Sequence, residues 1–150
     1  MNAIEQWKYL TRQANEAFGK QCNAVAETLY KRSIQLMQQV LESQDDVQNT
    51  HEKSGMTEVI CLSISVQNLA DLYARQERWT RCLSILETYQ TRFKQASEAL
   101  CVPPSTALTL IQESGRLRRE GLRHFENKQH PLTAPERTWV EHLPMTARVH

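Results

Sequence analysis

Apolar side chains recur at intervals of three and four along most of the chain. In the first stretch they are Ala3, Trp7, Leu10, Ala14, Ala17 and Phe18. With 3.6 residues to a turn, these share one face of a helix. The spacing predicts a helix over residues 3–18, ended by Gly19. The period resumes over residues 22–42 with Val25, Ala26, Leu29, Tyr30, Ile34, Met37, Val40 and Leu41, while Glu27, Lys31 and Arg32 fall off the apolar face. Residues 43–56 have no period and carry Asp45, Asp46, Asn49, Ser54 and Gly55, the composition of a loop. A loop of this length is long for a plain connection and is a candidate for a functional role.

Thr57 followed by Glu58 reads as the start of a third helix, with Thr57 as its cap. That helix runs to about residue 76 and carries Ile60, Ile64, Leu69, Leu72 and Tyr73. A tight corner at Glu77 and Arg78 leads into a fourth helix over 79–100, marked by Trp79, Cys82, Leu83, Leu86, Tyr89, Phe93 and Leu100. Pro103 and Pro104 stop it, and Ser105 caps a fifth helix reaching about residue 127. The remainder contains Pro131, Pro135 and Pro144, which leaves room for one short helix, 135–143, anchored by Trp139. The division expected is a helical domain over 1–128 and a proline-containing tail over 129–150, whose Trp139 and Leu143 are candidates to fold back onto the helices.

Composition narrows the fold class further. Four glycines in 150 residues are well under half the usual ~7%, too few for a turn-rich β fold or the Gly-rich loops of many α/β proteins. A net charge of +1 argues against a chain that binds nucleic acid or a membrane over its whole surface. The longest apolar runs fall well short of the ~18 residues that a membrane span needs. Cys22, Cys61, Cys82 and Cys101 show no CxxC spacing, so they read as free thiols in a reducing compartment. The opening residues, Met1 to Trp7, lack the basic and apolar stretches of a secretory signal. The expected location is therefore the cytoplasm.

Small residues recur at a long interval. Ala14 and Ala26 are 12 apart, as are Ala70 and Cys82, and Ala14 lies 56 before Ala70. The fifth helix has Leu117, Gly121 and Phe125 at the spacing of Leu10, Ala14 and Phe18. Two antiparallel helices approach closely where one offers a small residue to a bulky side chain on the other, so Gly121 is expected to sit in such a contact. The run Ala70, Tyr73, Trp79, Cys82 and Leu86 resembles the tetratricopeptide repeat, and the likeness extends over about residues 7–127. The intervals depart from the family's regular 34-residue period. The competing reading is a five-helix bundle whose small residues align by chance.

The resemblance implies an all-α fold in which antiparallel hairpins stack as a short right-handed array of about five long helices plus a short C-terminal one. It further implies a concave peptide groove lined by alternate helices. Carried onto this chain, the groove positions are Lys8, Thr11, Arg12 and Asn15, then Gln67, Asn68 and Asp71, then Arg118, Arg119 and Leu122. Asn15, Asn68 and Arg119 match three of the five places at which some members clamp a peptide carboxylate. Thr11 and Gly115 replace the two lysines, with Lys8 and Arg12 a helical turn or less away. The candidate site is thus Lys8, Arg12, Asn15, Asn68, Asp71 and Arg119, and the expected partner is a protein segment, acidic or C-terminal, because ammonium and guanidinium donors suit carboxylates.

No nucleophile elbow, phosphate loop, dinucleotide fingerprint or HExxH is present, and the carboxylates are scattered. The histidines, His51, His124, His130, His142 and His150, read as residues outside the core. No catalytic residue, cofactor or metal is expected. The cluster Arg116, Arg118, Arg119, Arg123, His124 and Lys128 is the densest positive charge, diluted by Glu113, Glu120 and Glu126. It makes phosphate or nucleic-acid binding a minor alternative. The function expected is a non-enzymatic interaction scaffold or adaptor, with a self-associating helical regulator, and hence a homo-oligomer, as the alternative.

Overall fold

The computed structural model describes residues 1–44 and 55–129. They form five helices: α1 (Ala3–Gly19), α2 (Asn23–Gln44), α3 (Met56–Arg75), α4 (Trp79–Ser97) and α5 (Pro104–Gln129). No strand occurs among the described residues, and the fold is all-α. The expected helix over 135–143 and most of the expected loop over 43–56 lie outside the described residues. Ser43 and Gln44, assigned to that loop by pattern, continue α2 instead.

The helix ends follow local chemistry. Asn2 caps α1 by accepting a hydrogen bond at its Oδ1 from the Glu5 N–H at 2.8 Å. At the start of α3 the expected cap, Thr57, is displaced by Gly55. Gly55 takes a left-handed φ of 102°, which a β-branched residue resists. Its N–H donates to Glu58 Oε2 at 3.1 Å, so Glu58 supplies the reaching-back half of a capping box. At α5 the first helical residue is Pro104, one before the expected Ser105 helix start. Proline suits that place because its missing N–H would have had no helical partner.

Two corners repeat each other bond for bond. At the α1–α2 corner the Cys22 N–H donates to the Ala17 carbonyl at 2.8 Å and the Gln21 N–H to Phe18 at 3.1 Å. At the α3–α4 corner the Arg78 N–H donates to Tyr73 at 2.8 Å and the Glu77 N–H to Ala74 at 2.9 Å. Gln21 and Glu77 are both left-handed, with φ of 60° and 58°. This is the Schellman arrangement, and every participant in the second corner lies 56 residues after its counterpart in the first. The same interval relates Ala14 to Ala70 and Ala26 to Cys82, all four fully buried. The sequence interval of 56 is therefore a repeat of backbone geometry.

Side-chain pairs give the helix directions. Trp7 meets Ser65 and Phe18 meets Arg75, so α1 and α3 run the same way. Ser114 meets Gln90 and His124 faces Trp79, so α5 runs against α4 and hence along α3. α2 packs against α1 and α3, and α4 against α3 and α5, while α3 also touches α1 and α5 directly. α1, α3 and α5 thus form one row and α2 and α4 return between them. α3 lies in the middle, which is why every residue from 61 to 70 is buried.

Two clusters tie the hairpins together. Arg75 donates to the Phe18 carbonyl at 2.8 Å and to Asn23 Oδ1, with its guanidinium 3.6 Å above the Phe18 ring. It therefore locks the first corner from the end of α3. Glu27 on α2 accepts from Tyr73 Oη at 3.1 Å, from Arg78 at 3.1 Å and from Lys31 at 2.8 Å. Burial by itself would raise the Glu27 pKa, but the hydrogen bonds from Lys31, Arg78 and Tyr73 outweigh it and hold the carboxyl below its ordinary value. The expected close contact at Gly121 does not form: a Cβ placed there would meet nothing within 4 Å. α5 turns Leu110, Glu113, Leu117 and His124 inward instead.

Candidate functional site

All six residues of the expected groove lie on the row of parallel helices: Lys8, Arg12 and Asn15 on α1, Asn68 and Asp71 on α3, Arg119 on α5. Their surroundings differ. Lys8, Arg12 and Arg119 are exposed, and none of the three takes part in an ion pair among the described residues. Asn15 is half-buried and accepts a 2.6 Å hydrogen bond at Oδ1 from the Tyr30 hydroxyl. Asn68 has no exposed surface. Asp71 is half-buried and engaged with α5.

The seam between α1 and α3 has an unusual polarity. Trp7 Nε1 donates to Ser65 Oγ at 2.7 Å in a buried bond. One further turn along each helix lie Thr11 on α1 and Asn68 on α3. Thr11 Oγ1 and both amide atoms of Asn68 are buried without a hydrogen-bond partner. Each buried polar group left in this state costs about 1–3 kcal/mol. No other described side chain carries a buried, unpartnered nitrogen or oxygen. Lys8 and Arg12 border the same stretch of α1, so the unmade bonds and the unpaired cations occur together.

On the other side of α3 the polar groups are satisfied. Asp71 Oδ1 lies 3.1 Å from His124 Nε2 and 3.4 Å from Arg123 Nη2, and Arg123 also donates to Glu120 at 2.7 Å. His124, expected outside the core, is only 4% exposed. The basic cluster is consequently divided. Arg123 and His124 are turned toward Asp71, Arg116 lies 3.4 Å from Glu113, and Arg118, Arg119 and Lys128 face outward. Sequence reasoning missed the Asp71–His124 contact because its two halves lie 53 residues apart. The spacing of His124 seven residues after Leu117, on the same helical face, was the available signal.

Cys82 lies in the same region, where its thiolate form is disfavoured. Burial, reinforced by the charge of Asp71, pushes the Cys82 pKa up to about 12. Cys61 is likewise pushed up to about 11 by burial and by Glu58. Burial and Asp71 also raise the Tyr30 pKa, which keeps its hydroxyl a donor to Asn15. Among the described residues no group of three His, Cys, Asp or Glu side chains could hold a metal ion. No described helix is long and apolar enough to cross a membrane.

The profile of a family described as "Protein of unknown function (DUF2753)" matches residues 5–142. The chain belongs to that family. The match takes in all but the first two residues of α1, the other four helices and the first part of the tail. No match was found among curated proteins or among solved structures. The family description assigns no activity, so the functional reading rests on the geometry above.

Proposed function

We propose that this protein is a protein–protein interaction module, tetratricopeptide-like in the order of its helices, that takes an acidic or C-terminal peptide along the row formed by α1, α3 and α5. The observation that carries the proposal is the α1–α3 seam, where Thr11 and Asn68 keep unmade hydrogen bonds beside the unpaired Lys8 and Arg12. A peptide carboxylate satisfies Lys8 and Arg12 with charge-assisted bonds. A peptide backbone reaching the seam offers both a donor and an acceptor, the complement of an Asn amide. Among the described helices α1 touches only α2 and α3, and a peptide reaches Thr11 and Asn68 by displacing α1 outward. Arg119 on α5 marks the far side of the surface and extends the positive edge.

Trp7 is a built-in reporter, since its indole N–H lies in the seam. Titration of the full chain with a library of acidic peptides bearing free C-termini should give saturable shifts of the Trp7 indole N–H resonance for a subset. Amidated counterparts of those peptides should bind more weakly. Lys8→Glu combined with Arg12→Glu should weaken binding at least tenfold. If no peptide moves the Trp7 signal, or binding ignores the charge reversal, the proposal is wrong.

A further inference from the structure

α5 is apolar on two faces, and the described residues cover only one of them. Leu110, Glu113, Leu117 and His124 point inward, while Leu108, Ile111, Leu122 and Phe125 point away, each at least 44% exposed. The outward residues fall at steps of 3, 11 and 3, which keeps them within one stripe of the helix surface. Gly115 lies in the middle of the stripe and its position is open except for the Arg119 guanidinium at 3.5 Å. Seventeen residues of helix make this stripe roughly 25 Å long. Exposed apolar stripes of this kind mark contact surfaces. α3 and α4 are the only described helices that touch α5, and the inward face meets them.

We infer that this outward face of α5 is the docking surface for the chain's own residues 135–143. The chain leaves α5 at Gln129, one turn past Phe125. Residues 130–134, with Pro131 to prevent continuation of the helix, can span at most ~17 Å, more than the ~10 Å between packed helices. A helix of nine residues is ~14 Å long, enough to run back from Phe125 to the neighbourhood of Gly115. Trp139, Val140 and Leu143 lie on one side of such a helix, where the stripe needs apolar partners. Glu136, on the same side of that helix as Trp139 and Leu143, brings a carboxylate to a face on which Arg118 and Arg119 have no ion pair among the described residues. The family match reaches residue 142 and so takes in most of the segment.

A second copy fits this face less well. Two antiparallel α5 helices related by a twofold axis would meet at the centre of the stripe, near residue 117. Arg118 and Arg119 of each copy would then confront their own counterparts, and like charges held together repel.

The test is nuclear Overhauser spectroscopy on the full chain, using a sample mixed from labelled and unlabelled protein to separate contacts within one chain from contacts between chains. Intramolecular contacts are expected from the Trp139 ring to Leu122 and from Leu143 toward Ile111. Leu122→Glu should erase them and return the Trp139 indole to its unstructured shift. Trp139→Ser with Leu143→Ser should raise the binding of an apolar dye severalfold while the Trp7 indole resonance stays in place. A Trp139 resonance at the unstructured position in the unsubstituted chain overturns the inference. So do Trp139 contacts to α1 or α3, and so do intermolecular contacts, whether between two α5 helices or from one chain's Trp139 to another's Leu122. The peptide titration reads the α1–α3 seam, so either idea can fail without the other.

Discussion

The hairpins α1–α2 and α3–α4 share a left-handed corner residue, the same two crossing backbone bonds and the same pair of small buried residues. Their surroundings are unlike. α1 stands at the end of the row and is covered on one side, while α3 stands in the middle and is covered all round. Equivalent positions have accordingly taken different chemistry. Thr11, with its unmade bond, corresponds to Gln67, which donates to Ser63 at 3.1 Å. Gly19 corresponds to Arg75, the residue that clamps the first corner from the second hairpin. The shared backbone makes each hairpin; the unshared side chains decide how hairpins join and which surface is left for a partner.

The largest break in this comparison should come from Arg75→Ala. It removes two hydrogen bonds and a cation–π contact at the first corner. Loss of about 2–4 kcal/mol is expected in urea unfolding, and a loss under 0.5 kcal/mol would mean the hairpins do not depend on the clamp. Glu27→Gln should cost about 1–2 kcal/mol near pH 7. Its sign with pH follows from a carboxyl held below its ordinary value of 4.5. The stabilisation is complete above that value and disappears as pH falls through the lowered folded-state pKa. The variant should therefore lie closer to the unsubstituted protein at acid pH than at neutral pH.

The two corners can be compared directly through Gln21→Gly and Glu77→Gly. A left-handed non-glycine residue is strained by roughly 1–2 kcal/mol, part of which is offset by the greater freedom of glycine when unfolded. Each variant should gain about 0.5–1 kcal/mol, and by similar amounts if the corners are as alike as their bonds. The smallest effect expected is at Gly121→Ala. Its Cβ enters open space, so helix propensity alone should add up to ~1 kcal/mol of stability. Destabilisation there would revive the close contact expected from the small-residue pattern.

The pattern of small residues read along the chain located the repeat, because Ala14, Ala26, Ala70 and Cys82 report a short-range requirement that any tight hairpin imposes. It misjudged Gly121, because a small residue marks a close contact only if a neighbour lies on its side of the helix. Gly55 displaced Thr57 as the α3 cap because glycine offers backbone freedom rather than a side chain to recognise. The residues expected to line a groove lie on α1, α3 and α5 but differ in exposure. Asn68 is buried, Asn15 and Asp71 are half-buried, and Lys8, Arg12 and Arg119 face solvent.

By itself, then, the sequence determined the all-α class, five helices with nearly correct ends, and two hairpins 56 residues apart. These depend on interactions within a few turns of chain: periodic apolar faces, caps, and glycine or proline at the ends. Only the tertiary structure decided that α3 would be enclosed over residues 61–70, that His124 would reach Asp71 across 53 residues, that Thr11 and Asn68 would be buried without partners, and that α5 would turn a second apolar face away from the other described helices. Each of those depends on which helices become neighbours, and local spacing carries no record of a neighbour that arrives from elsewhere in the chain.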